Sequence, residues 1–246
     1  KIFPNIIDNG FAVLSFCNRD VTADDKDFTN GLASILYKNG ERKQTDAGKI
    51  AMWAWAAMRV MDYVETVEAI DKSNVAVIGH SRLGKTALWC AAQDERFCAV
   101  ISNNSGYGGA ASSKHGNGER IDDFIRVGSW DWFCENFKRF SGELENEKPY
   151  DQSFLLALIA PRYLLIGSAE LDSGADPTSE FLTALHASDA WELLGKKGLI
   201  CDDVMPRPGD CLGDGNILYH YRAGTHFLSL DDWKAYMRFL DSKFKS

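Results

Sequence analysis

A serine, an aspartate and a histidine, each just past a β-rich run, are the residues of this chain best placed for chemistry. Ser81 stands in Gly79-His80-Ser81-Arg82-Leu83-Gly84-Lys85, after the run Val75–Ile78 and before a helix-forming stretch. Asp172 follows the run 161–167, and His226 follows the run 217–221. A serine hydroxyl is a weak nucleophile at neutral pH. It gains strength when a histidine takes its proton and a carboxylate fixes that histidine's tautomer and stabilises its cation. A strand–turn–helix at Ser81 would push the hydroxyl clear of a sheet and aim the next N–H at a developing oxyanion. Gly79 would let the turn close, and Gly84 would let helix and strand approach. The second glycine comes one residue later than in the usual Gly-x-Ser-x-Gly elbow, so the turn by itself equally suits an incidental serine.

Asp172 has two rivals for the role of acid. Asp176, beside Pro177, reads as well as a helix-capping or loop-fixing residue, and Glu170 is the third candidate; loop position favours Asp172. Arg82 and Lys85 would be solvated helix residues in most settings. Next to a nucleophile they could attract a carboxylate or stabilise an oxyanion, which suggests a substrate with negative charge or dense hydroxyls. His80 reads as structural, His115 as site wall or surface, His186 as an ordinary helix residue and His220 as a packed strand residue.

The elements that must hold these groups alternate along the chain. Gly10–Phe16 reads as a buried strand and 18–30 as an acidic loop. Asp46 is a plausible N-cap for a long helix from Ala47 to about Ala69, whose apolar residues recur at helical spacing. Strand 75–78 leads into a helix from about Arg82 to Gln93, then strand 97–102 and a Gly/Ser/Asn-rich loop, 103–117. Residues 121–140 are helical or mixed and rich in aromatics, and Phe154–Leu158 leads to strand 161–167. Thr178 or Ser179 would cap a helix through Leu194, 196–216 is loop, 217–221 the last strand, and 230–244 an amphipathic helix. This alternation implies a mostly parallel sheet with helices on both faces and chemistry at the carboxyl ends of its strands. The chain order Ser, Asp, His is that of an α/β-hydrolase three-layer sandwich. Only one candidate strand precedes the elbow strand, so the expectation is a fold without its first strands. The expectation is a single catalytic domain over 1–246, forming the C-terminal portion of a longer domain.

The totals agree with an enzyme domain and exclude several other classes. The 246 residues suffice for one large domain, with 45% hydrophobic and 25% charged residues. A net charge of −8 disfavours nucleic acid or an anionic membrane as the main partner, and no apolar run reaches spanning length. The six cysteines form no C-x-x-C pair, and no Cys/His cluster has zinc spacing. Cys90 and Cys98 read as buried thiols, and Cys201 and Cys211, flanking a Pro/Gly loop, could pair.

The Ser81-Arg82-Leu83-Gly84-Lys85 stretch resembles the nucleophile motif of the glucuronoyl esterases, carbohydrate esterase family 15, in their bacterial branch. That pattern accounts for the displaced second glycine. The likeness extends through Asp94-Glu95-Arg96-Phe97, 101–106, Gly108-Gly109-Ala110-Ala111, 132–137, 156–162, Ser168-Ala169-Glu170, Ala175-Asp176-Pro177, Gly224-Thr225-His226 and Asp232-Trp233. The resemblance implies cleavage of the ester between (4-O-methyl-)glucuronate on xylan and an alcohol of lignin, with no metal or organic cofactor. It implies Ser81 as nucleophile, His226 as base, Arg82 at the oxyanion, Lys85 on the sugar hydroxyls and Glu135 on the glucuronate. Two departures stand out. Asn104 occupies the place of a Glu that many members use as the acid, which supports Asp172, the position used by some bacterial members. Gly174 stands where bacterial members often carry a Trp, and Phe227 replaces an Asp that often follows the catalytic His.

A serine esterase for glucuronate esters is therefore the first expectation, acting through an acyl-enzyme on Ser81. An acetylxylan esterase or related carbohydrate deacetylase is the second, and a carbohydrate-binding relic without turnover the third. Glucuronoxylan or a lignin–carbohydrate ester would be the partner, which places the protein outside the cytoplasm, secreted or periplasmic, although no signal peptide is in the sequence.

Overall fold

The computed structural model describes residues 3–114, 116–202 and 204–244. Three short helices, α1 (Phe3–Asp8), α2 (Asn18–Val21) and α3 (Gly31–Leu36), precede the long α4 (Lys49–Val64). Strands and helices then alternate: β1 (Ala76–His80), α5 (Arg82–Gln93), β2 (Ala99–Asn103), α6 (Ile121–Val127), α7 (Gln152–Ala157) and β3 (Tyr163–Ala169). The chain closes with α8 (Pro177–Leu193), β4 (Cys211–Leu212), β5 (Ile217–Arg222) and α9 (Leu230–Phe244). Between α6 and α7 lie 3₁₀ turns at Trp130–Trp132, Glu135–Phe140 and Gly142–Glu147.

Among the described residues the sheet has five strands in the order β1-β2-β3-β5-β4. The first four run parallel, and β4 pairs antiparallel with β5. Side chains alternate across the sheet, as the two-residue strand period demands. Val100, Leu164, Ile166, Ile217 and Tyr219 pack on one face against α5, α7 and α8 residues such as Leu88, Leu156, Phe181 and Trp191. Ala99, Ile101, Leu165 and Leu218 face the other way, onto Tyr236, Phe239 and Leu240 of α9. The result is the three-layer sandwich of an α/β-hydrolase. Helix α4 lies outside α5, through Ala54, Ala57, Met61 and Cys90. The aromatic-rich segment forms its own cluster of Tyr107, Phe124, Trp130, Trp132, Phe133, Phe137 and Phe140.

Several expected details differ. Gly10–Phe16 forms no strand: it runs irregularly, with Leu14 and Phe16 exposed, and Phe11 anchors its start through a ring contact with Phe244 at 6.4 Å. An apolar run becomes a strand only when a neighbouring strand takes its N–H and C=O groups; here the Gly10 and Phe11 N–H groups turn back to Ile7 O and Ile6 O of α1, at 2.8 and 3.2 Å. The long helix starts at Lys49 with Gly48 as N-cap, while the Asp46 carboxylate accepts from Lys43 N at 2.8 Å. Gly48 is pressed on the Trp132 backbone with no room for a Cβ, which fixes where the helix begins. Helix α8 is capped by Asp176 rather than Thr178 or Ser179. The Asp176 side chain accepts from Ser179 N at 3.1 Å, and Pro177 takes the first helical position, where a missing N–H is harmless. The loop 196–216 contains the short edge strand β4. Cys201 and Cys211 are both free thiols.

Candidate active site

The turn at Ser81 is a strained one. Its backbone has φ 58 and ψ −128, a conformation L-residues rarely adopt, and it joins β1 directly to α5. A Cβ on Gly79 would fall inside the Leu83 carbonyl, and one on Gly84 would lie 2.9 Å from Ser105 Cβ. Both glycines are thus demanded by the close crossing of α5 over the strands. Ser81 N donates to Asn103 O at 2.8 Å, which ties the turn to the end of β2.

His226, on the segment after β5, sets its Nδ1 2.6 Å from Asp172 Oδ2, on the loop after β3. Its ring lies 4.6 Å, centroid to centroid, from that of His80, the neighbour of Ser81. The imidazole therefore stands between Asp172 and His80, the residue before Ser81. Asp172 is buried, and Oδ2 also accepts from Asn104 Nδ2 at 2.7 Å. Burial opposes ionisation of Asp172, but the hydrogen bonds from His226 and Asn104 outweigh it and hold its pKa below the ordinary carboxylate value. An ionised carboxylate only accepts, so Nδ1 carries the imidazole proton and Nε2 is left to receive one. Asn104 itself has φ 46, a left-handed conformation in which asparagine is at home.

The rival acids have other duties. Asp176 caps α8 and accepts from Asn117 N at 2.6 Å. Glu170 is exposed. The minor histidines also differ in placement. His80 Nδ1 meets Asn103 Oδ1 at 2.7 Å, and burial pushes its pKa down. It is held by the framework as expected, yet it touches His226, a contact that spans 146 positions and has no local signature. His220 is buried with Nε2 3.4 Å from Asp232 Oδ1, His186 is exposed on α8, and His115 lies outside the described residues.

Arg82, at the start of α5, pairs through NH1 with Asp24 Oδ2 at 2.7 Å, and its guanidinium faces the Trp132 ring at 5.2 Å. Lys85, one turn on, is buried and donates to Ser105 O at 2.5 Å. Burial lowers its pKa to about 8, against the pull of Glu119 and Glu180, so it remains largely a cation at neutral pH. Below it Glu180 is fully buried, taking the N–H groups of Ser105 and Gly106, each at 2.9 Å, and the Ser168 hydroxyl at 2.5 Å. Glu180 thus ties the loop after β2 to β3. Glu135 pairs with Lys138 at 2.6 Å on the aromatic segment, and no contact among the described residues joins it to Lys85 or His226. A cleft of about 360 Å³ opens beside the Asp172 loop, lined by Glu119, Phe124, Ser173 and Gly174 among others. A larger one, about 770 Å³, runs along α8 and residues 197–201, away from these groups.

A family profile described as "Glucuronyl esterase, fungi" matches residues 2–195. The chain belongs to the glucuronoyl esterase family. It is 40% identical over 237 residues to "Carbohydrate esterase MZ0003" from an unknown prokaryotic organism, an alignment covering 96% of this chain and 54% of that protein. It is 30% identical over 166 residues to the 4-O-methyl-glucuronoyl methylesterase of Podospora anserina, covering 64% of this chain and 34% of that protein. The solved glucuronoyl esterase from Solibacter usitatus superposes with a TM-score of 0.91 at 40% identity, over 98% of this chain and 61% of that one. The chain therefore spans about half the length, or less, of these curated relatives.

Proposed function

We propose that this protein is a serine esterase that hydrolyses esters of (4-O-methyl-)glucuronic acid joining glucuronoxylan to lignin alcohols. The observation that carries the reading is the His226–Asp172 pair, 2.6 Å apart, set against His80 at the strained Ser81 turn. Family membership supplies the substrate class, as do relatives named for 4-O-methyl-glucuronoyl ester cleavage. Such a polymer substrate implies work outside the cytoplasm. No helix among the described residues is long and apolar enough to cross a membrane.

In this reading Ser81 Oγ attacks the ester carbonyl carbon while His226 Nε2 takes its proton. Asp172 stabilises the imidazolium that forms. The carbonyl oxygen gains negative charge, met by the Arg82 guanidinium and the backbone N–H after Ser81. As the C–O bond breaks, His226 returns the proton to the departing alcohol, leaving glucuronate esterified to Ser81. Water then attacks that carbonyl, gives its proton to His226, and releases the acid and free Ser81. Lys85 and Glu135 bind the sugar. Lys85 is held by a backbone carbonyl in a buried place, where a cation interacts with a dense set of hydroxyls more strongly than in water.

Benzyl glucuronate and a simple acetyl ester, offered to the parent chain and to Ser81→Ala and Lys85→Ala, test this. The expected result is glucuronate ester turnover lost in Ser81→Ala and strongly reduced in Lys85→Ala. Turnover of the acetyl ester alone, indifferent to Lys85, would point to a carbohydrate deacetylase. Binding of glucuronoxylan fragments without hydrolysis of either ester would mark a relic.

A further inference from the structure

Arg82 is long, 40% exposed and free to sample many rotamers, so something outside α5 must hold its guanidinium if it is to meet an oxyanion in one geometry. We propose that Asp24 and Trp132 are positioning residues that clamp Arg82, so that the segment before α3 sets the geometry of the oxyanion donor. The inference rests on the esterase reading of Arg82. Asp24 spends one oxygen on each partner: Oδ2 takes Arg82 NH1 at 2.7 Å, and Oδ1 takes Trp132 Nε1 at 2.9 Å. The Trp132 ring in turn faces the guanidinium at 5.2 Å, so the three side chains close a ring. A guanidinium carries five N–H groups in a rigid fork, and the pair with Asp24 leaves others for a substrate oxygen.

A lone surface ion pair would hold little. This one has a fixed base, because the Asp24 side chain is only 7% exposed and both clamp residues hang from α4. Lys49 of α4 is fully buried, donates to Asp27 O at 2.6 Å and Thr22 Oγ1 at 3.2 Å, and lies 3.5 Å from Asp25. Trp53, also of α4, donates through Nε1 to Thr22 O at 3.1 Å, and Asn30 Oδ1 takes Ala23 N at 2.9 Å. Segment 22–30 is thereby bolted down on both sides of Asp24. The Trp132 backbone presses on Gly48, the residue that caps α4. Helix α4 thus aligns an acid and an indole that arrive from sequence positions 108 apart.

The test is a double-mutant cycle in the full chain with Asp24→Asn, Arg82→Ala and the pair, read as kcat and KM on benzyl glucuronate and as thermal midpoint. Trp132→Phe serves as the second arm, since it keeps a ring and deletes the N–H. The expected result is a kcat loss of about 10- to 100-fold for Asp24→Asn with KM little changed. That loss should vanish when Arg82 is already Ala, because Asp24 acts only through it. The same loss in both backgrounds, or one expressed only in KM or in the thermal midpoint, would overturn the clamp while leaving the esterase reading intact. A fluorophosphonate separates the two failures. Ser81 Oγ bonds to phosphorus, fluoride leaves, the proton passes to His226, and the product carries an oxygen where the oxyanion would sit. If the parent is labelled at Ser81 but cleaves no glucuronate ester, the substrate reading fails and the same cycle in labelling rates decides the clamp. A parent inert to both reagents would overturn both.

Discussion

Replacing Asp172 by Asn removes a charge and keeps the shape, and the geometry says how much that should cost. His226 Nδ1 and Asn104 Nδ2 meet the same oxygen, Oδ2, at 2.6 and 2.7 Å, while Oδ1 receives, among the described residues, only Ala175 N at 3.4 Å. An asparagine with its carbonyl oxygen in the Oδ2 place keeps both donors, and its NH₂ faces the weakest of the three contacts. The flipped amide would set an NH₂ against two donors, so it loses. What disappears is therefore the stabilisation of the imidazolium and not the tautomer. At a separation of about 4 Å and an effective dielectric of about 20, suited to a half-buried pair, that is about 4 kcal/mol, or about 10³-fold in kcat. This is less than the loss of about 10⁴ known where the substitution leaves the histidine in the wrong tautomer. The assay is kcat on benzyl glucuronate, with the thermal midpoint measured beside it. Asp176→Ala is the control: it should keep kcat but lose about 2 kcal/mol of stability, from a lost cap and a left-handed alanine at φ 54. Asp172→Asn within about tenfold of the parent, or Asp176→Ala losing activity while Asp172→Asn retains it, would refute the assignment.

Glu180 should give stability an unusual pH dependence. Burial raises its pKa from 4.5 to about 7, against the hydrogen bonds from Ser168 and Gly106. Below pH 4.5 the carboxyl is protonated in folded and unfolded chains alike. Between the two values the unfolded chain releases a proton that the folded one keeps, so stability falls as pH rises, by about 3 kcal/mol in all. Urea unfolding from pH 4 to 8 should show this slope, and Glu180→Gln should flatten it. Asp172 acts in the opposite sense: its depressed pKa gives stability present above 3.8 and lost as pH falls through its folded value, a loss absent in Asp172→Asn. Gly79→Ala should leave little folded protein, since the new methyl meets the Leu83 backbone carbonyl, and circular dichroism would show it. A reductant should leave the thermal midpoint unchanged, because Cys201 and Cys211 are free; a drop would reveal a disulfide.

The parts of the fold legible in the sequence are those written in short local runs. The strands at 75–78, 97–102, 161–167 and 217–221 and the helices at 82–93 and 230–244 sit within a few residues of their observed places, because each run carries its own period and its own turn residues. Gly10–Phe16 has equally β-like residues but no strand to pair with among the described residues, and strand partners are not a local property. The choice among Asp172, Asp176 and Glu170 is of the same kind. All three lie within seven residues of one loop region, and only the return of β5 and His226 to that loop separates them. Asp176 beside Pro177 reads in the sequence both as a possible acid and as a helix-capping residue, and it is the capping duty that the fold gives it.

Asn104 shows how a departure from a family pattern becomes intelligible only in three dimensions. In the sequence it is a missing acid. In the structure its amide donates to Asp172, so the position still serves the same carboxylate–imidazole pair, now by supplying a donor and not a charge. A second carboxylate there would face Asp172 at hydrogen-bonding distance, and one of the two would have to stay protonated. Asparagine avoids that conflict, tolerates the left-handed turn at φ 46, and leaves the negative charge beside His226 on Asp172. Arg82 and its partner Asp24 repeat the pattern on the other side of Ser81. The residue that reaches the chemistry is visible in a motif, and the one that aims it lies in an acidic loop whose role depends on a tryptophan 108 positions away.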